Sequence, residues 1–152
     1  MQAARRSNKG FTLIELLVVI GILAILLAIT LIAINPARQF SQANNTKRRS
    51  DVNAILNAIH QYAADNKGSL PTGISTTLQN IASTAANVCS SVVTQYIAAL
   101  PSDPKAVNGG VNVTDCTTAY DTEYQVIRSS ADNRVTVSAP NAELGDTISV
   151  TR

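Results

Sequence analysis

Residues 9–34 read Lys9-Gly10-Phe11-Thr12-Leu13-Ile14-Glu15, followed by LLVVIGILAILLAITLIAI. Across positions 16–34 no charge occurs and only Thr30 is polar. Nineteen residues of helix span about 28 Å, close to the hydrocarbon thickness of a bilayer. A helix apolar on every side is out of place in a small soluble domain, where one face must meet water. Arg5, Arg6 and Lys9 precede the run and no acid does. That bias keeps the N-terminus in the cytoplasm and sends residues 35–152 outward. A cleaved secretory signal has a shorter apolar core and a small-residue cleavage site behind it. Here the run is longer and Asn35-Pro36 comes directly after it, so the helix is expected to stay in the membrane.

The rest of the composition narrows the function by exclusion. The chain has 152 residues, 45% apolar and only 14% charged, against an ordinary charged share of about 25%. Beyond residue 10 nine basic groups face ten acidic ones. No basic excess remains for a dedicated nucleic-acid surface. One histidine and two cysteines cannot furnish a standard Cys/His zinc site. No metal or other cofactor is expected.

After Pro36 the pattern changes. Residues 37–51 are polar, and then Val52, Ile55, Leu56, Ile59, Tyr62 and Ala63 recur at three- and four-residue steps. This is one apolar stripe on a helix, which Asn66-Lys67-Gly68 should stop. A single helix over 12–66 is expected, roughly 80 Å long. Its first half is membrane-like and its second amphipathic. Lys47-Arg48-Arg49 reads as a solvated helix face or a subunit contact.

Residues 68–152 are rich in Ser and Thr and carry no aromatic residue except Tyr96, Tyr120 and Tyr124. Short helices are expected over 77–86 and 91–100. Further on, Tyr124 and Val126, Val135 and Val137, and Ile148 and Val150 alternate with polar residues. These read as three half-buried strands joined by turns at 130–133 and 145–146. Their apolar face needs a cover, and the stripe from Val52 to Tyr62 is available. The expected class is α+β: a long N-terminal helix packed by its second half on a small C-terminal antiparallel sheet. The expected divisions are a leader at 1–10, a membrane or filament-core helix at 11–36, its amphipathic continuation at 37–67, and a globular head at 68–152.

Glu15 is the residue that does not fit a plain anchor. A carboxylate at a bilayer centre costs on the order of 3 kcal/mol, less near a helix end, and calls for a partner. Gly10-Phe11-Thr12-Leu13-Ile14-Glu15, with a short basic leader before it and an apolar helix after it, resembles the class III signal of the type IV pilin family. The resemblance is strong over residues 5–34 and looser through Asn66. It implies cleavage after Gly10 by a prepilin peptidase, leaving Phe11 as an N-methylated terminus. It implies that Glu15 engages the amino terminus of a neighbouring subunit during assembly. It further implies a structural, non-enzymatic protein, with no catalytic residues. Such a protein is a single-pass precursor of the inner membrane with its N-terminus inside, and then part of an extracellular filament. The implied partners are further copies of the chain, the peptidase, an inner-membrane assembly platform and the bilayer; no specific nucleic acid is among them.

The ten-residue leader resembles the type IVa branch, yet the helix-breaking proline that many of those pilins carry inside the apolar segment is missing. Here the first proline is Pro36. The pattern Leu56–Tyr62, then Leu70-Pro71, then Leu100-Pro101-Ser102-Asp103-Pro104, also resembles the major pseudopilin of type II secretion. A pseudopilus for secretion or DNA uptake is therefore the alternative reading. That relative binds calcium, but Asp115, Asp121, Glu123 and Asp146 are scattered here without a compact ligand motif. With the head exported, Cys89 and Cys116 are expected to form a disulfide, the other reading being two free buried thiols. His60 has no nucleophile placed with it by any local motif. The sequons at Asn44 and Asn112 read as chance matches.

Overall fold

The computed structural model describes residues 10–152; the leader cations Arg5, Arg6 and Lys9 lie outside the described residues. The chain divides into two compact units, residues 1–39 and 40–152.

In the first unit, helix α1 runs Leu13–Ile34. All of its apolar side chains lie open, none buried by the chain itself. It is long and apolar enough to cross a membrane. It ends at Ile34, and the next helix, α2, runs Pro36–Asp65. Asn35 stands between them in the left-handed region, at φ 47° and ψ 78°. The unbroken helix expected over 12–66 is thus corrected to two helices. The ring of Pro36 disfavours right-handed helical backbone at the residue before it, and Asn is among the few residues that tolerate the left-handed alternative. Asn35 then caps the new helix. Its side-chain oxygen and its carbonyl both accept from the Arg38 backbone N–H, at 3.4 and 3.1 Å. Pro36 occupies the first helical position, where its missing N–H costs nothing.

In the second unit, α2 buries Asn45, Arg48, Val52, Ile55, Leu56, Ala58 and Ile59. The chain then forms β1 (Gln79–Ala82), a one-turn helix α3 (Cys89–Val92), β2 (Asp121–Arg128), β3 (Val135–Ala139) and β4 (Ile148–Thr151). The sheet is antiparallel throughout, in the order β1-β2-β3-β4. Val126 pairs with Val137, which pairs with Val150. Thr122, Tyr124 and Val126, then Val135, Val137 and Ala139, then Ile148 alternate inward. The apolar residues among them form one buried cluster with Val52, Ile55, Leu56 and Ile59 of α2. Each large apolar side chain in it contributes about 1.5–3 kcal/mol of burial.

Two expectations fail here. Residues 77–86 supply a fourth strand in place of a helix, and of 91–100 only the end of α3 is helical. β2 would otherwise expose an edge of unpaired backbone groups, and β1 satisfies it at Gln79↔Val126 and Asn80↔Gln125. Tertiary pairing overrides a weak local preference. Thr94 at φ 72° ends the short helix, its N–H turned to the Ile97 carbonyl. Cys89 and Cys116 are joined, closing a loop with a sequence separation of 27. In the chain-entropy view such a loop gives about 3–4 kcal/mol, a large share for a small core.

Candidate functional site: the N-terminal signal and the Arg48 anchor

The sequence of the signal sets its own local structure. Thr12 is the N-cap of α1, with extended backbone, and Glu15 is the third helical residue. Together they make a capping box. The Glu15 backbone N–H donates to Thr12 Oγ1 at 3.3 Å. Glu15 Oε2 accepts from the Thr12 backbone N–H at 2.8 Å and from its hydroxyl at 2.7 Å. The carboxylate also lies where the helix dipole favours negative charge. Among the described residues its other oxygen takes no hydrogen bond. Gly10 and Phe11 precede the cap and are exposed. Nothing lies within 4 Å of a Cβ built on Gly10, so the fold around it does not require glycine there. The same holds at Gly21 inside α1.

The second constellation departs from the expectation of a solvated face. Of Lys47-Arg48-Arg49, the middle residue is fully buried. Arg48 grips Asp103 with two parallel bonds, Nε to Oδ2 at 2.6 Å and Nη2 to Oδ1 at 2.9 Å. Its Nη1 donates to Glu143 Oε2 at 2.9 Å and to Asn45 Oδ1 at 3.1 Å. Lys105 holds the other Glu143 oxygen. Ser41 and Asn44 also donate to that carboxylate. The cations and amides around it, Lys105 first and Arg48 next, hold the Glu143 carboxyl well below the usual range. Hydrogen bonding to Asp103 keeps Arg48 charged despite burial. On either side, Lys47 pairs with Asp51 and Arg49 with Asp146. Asp51 also accepts from the Tyr124 hydroxyl at 2.8 Å, and burial followed by that contact pushes the phenol up. The run is an anchor between α2 and the loops of the head. The available signal was its spacing: Asn45 and Arg48 continue the stripe of Val52, Ile55 and Ile59 backwards by steps of four and three.

The remaining expected residues are dispersed. Asp115, Asp121 and Glu123 border one open cavity, while Asp146 is engaged by Arg49. Among the described residues no group of three His, Cys, Asp or Glu side chains is placed to hold a metal. His60 borders a different cavity.

Comparison with known proteins bears on the signal. Residues 5–31 match the prokaryotic N-terminal methylation motif. The chain is 38% identical over 88 residues to the type IV wide pilus major component PilA4 of Thermus thermophilus. That alignment covers 58% of this chain and 66% of the relative, just under two thirds of its length. No solved structure gives a significant match. By its methylation motif and its identity to a pilus subunit, this chain resembles the type IV pilins.

Proposed function

We propose that the chain is the precursor of a type IV pilin, cut after Gly10, N-methylated at Phe11 and assembled through α1 into an extracellular filament. The observation that carries this reading is α1 itself: 22 residues, apolar on all sides, with none buried by its own chain. Such a surface is stable in lipid, and equally in a water-excluded bundle of identical helices. Gly21 fits the bundle, because it weakens a helix by about 0.5–1 kcal/mol relative to Ala and has no close contact within the chain. With Ala24, Ala28 and Ala33 it lets helices approach closely.

Glu15 is the registering residue. Cleavage before Phe11 creates an ammonium group beside the cap of α1. In an apolar surrounding a lone ammonium or carboxylate is costly, and the pair is favoured. A copy entering the filament presents its amine to Glu15 of the copy ahead, whose second oxygen is available once the capping box has used the first. The pseudopilus alternative rests on the pattern Leu56–Tyr62, Leu70-Pro71 and Leu100-Pro101-Ser102-Asp103-Pro104. The similarity to a pilus component weighs against it.

The test is mass spectrometry on filaments sheared from cells. The expected chain begins at methylated Phe11. Gly10→Leu is expected to leave the precursor uncut while the head folds normally. A mature chain starting at Met1, or beyond residue 34, overturns the reading.

A further inference from the structure

Outside the Arg48 anchor, Asp121 and Glu123 stand at the start of β2 and Arg128 at its end. At the start of the strand, Asp121 and Glu123 share with Asp115 an open cavity of about 490 Å³. No cation lines it, and none of the three carboxylates forms an ion pair among the described residues. Beside them Val107 and Val111 are 101% and 66% exposed. At the end of the strand, Arg128 borders a second cavity of about 620 Å³ with His60 and Asn133. No carboxylate lines that one, and its floor includes Leu70 and Ile74. Asp132, on the adjoining turn, accepts the Arg134 backbone N–H instead. Arg128 Nε and His60 Nε2 are shielded from water and have no hydrogen-bond partner among the described residues. Arg128 Nε–H is a donor, and a shielded donor without a partner costs free energy that an acceptor reaching it recovers. Seven residue steps separate Asp121 from Arg128, about 23 Å along the strand.

We propose that the Arg128 cavity of one head receives the acidic rim formed by Asp115 and by Asp121 and Glu123 at the start of β2, together with the adjoining Val107–Val111 loop, of a second copy of this chain. This contact rests on the filament reading and deepens it. Two unlike, complementary surfaces on one subunit make a heterologous contact, and a heterologous contact that does not close on itself propagates as a helix. Opposite charge at the two sites fixes which face meets which. The valines give the loop an apolar tip to set against the Leu70 and Ile74 floor.

The experiment uses the full chain in cells, with the membrane-inserted, disulfide-bonded precursor quantified as a folding control. Arg128→Glu alone and Asp121→Arg alone are each expected to lower sheared filament on the order of tenfold. The double variant Arg128→Glu/Asp121→Arg restores charge complementarity between copies and is expected to recover most of the yield. A second measurement does not depend on how those variants fold. A photo-crosslinking residue at Val107 in otherwise native filaments should attach to residues 60–74 or 128–134 of another copy. Normal filament yield in both single variants, or crosslinks confined to other segments, overturns the inference and leaves the filament reading intact. Absence of filaments from the unaltered chain overturns both.

Discussion

Helices α1 and α2 are neighbours in sequence and opposite in how their surfaces are satisfied. α2 is polar except for one stripe, and that stripe is covered by the sheet of its own chain. It carries Arg48 and Arg49 to Asp103, Glu143 and Asp146 of the head, while its own Asp51 pairs with Lys47. α1 has no polar face and no intramolecular cover. Its one carboxylate is occupied only by its own cap. The contrast separates two sources of stability. The head covers its apolar stripe within the chain, whereas α1 is left uncovered by the described residues and, on the proposed function, is covered by lipid or other copies. Substitutions in the two regions should therefore register in different measurements.

The largest expected effect is in the stem. Glu15→Ala should be cleaved and inserted normally yet give no filaments by electron microscopy, with the thermal unfolding of the head unchanged. All four tyrosines lie beyond residue 61, so tyrosine fluorescence of the detergent-solubilised chain reports the head alone. Abundant filaments from this variant would reduce Glu15 to a cap residue.

Next comes the anchor. Arg48→Leu leaves Asp103, fully buried, without its cation, and should destabilise the head by about 3–5 kcal/mol. Adding Asp103→Leu should recover much of that loss, because the desolvation of the pair disappears with it. A head indifferent to Arg48→Leu would place the guanidinium in water, contrary to the burial seen.

Ile59→Ala, in the stripe, should cost about 2–5 kcal/mol by chemical denaturation. Filament yield should fall only as far as the head fails to fold.

The smallest effect is with pH. Glu143 titrates lower in the folded head than in the unfolded chain. Its contribution is therefore complete above the ordinary carboxyl range and declines as pH falls from about 5. Tyr124 titrates higher when folded, so its contribution is complete below about pH 10 and declines above. Head stability should show a plateau between those limits in denaturation measured across pH. Stability rising as pH drops through about 4 would contradict the Glu143 geometry.

Much of the architecture was legible because it is written in local periodicity. The apolar run of α1, the stripe of α2 and the alternation in β2, β3 and β4 each repeat at the spacing their backbone imposes. The signal at Gly10–Glu15 was legible through its resemblance to the type IV pilin signal and through the charge of Glu15 beside an apolar run, whereas the Thr12–Glu15 cap came from the structure. The break at Asn35 was half legible. Pro36 marked the place, but a proline fits either the first turn of a new helix or a kink in an old one. The left-handed backbone of Asn35 decided between them.

Other features depended on residues far apart in sequence. β1 exists because β2 lies beside it, some forty positions later, with backbone groups to pair. Arg48 is buried because Asp103 and Glu143, 55 and 95 positions away, arrive with the carboxylates that make burial of a guanidinium tolerable. The sequence by itself determined which surfaces had to leave water, since side-chain hydrophobicity and repeat are local properties. Only the tertiary structure decided which charges accompanied them, because the desolvation of an ion is offset by a partner brought close by the fold, and sequence order does not specify that distance.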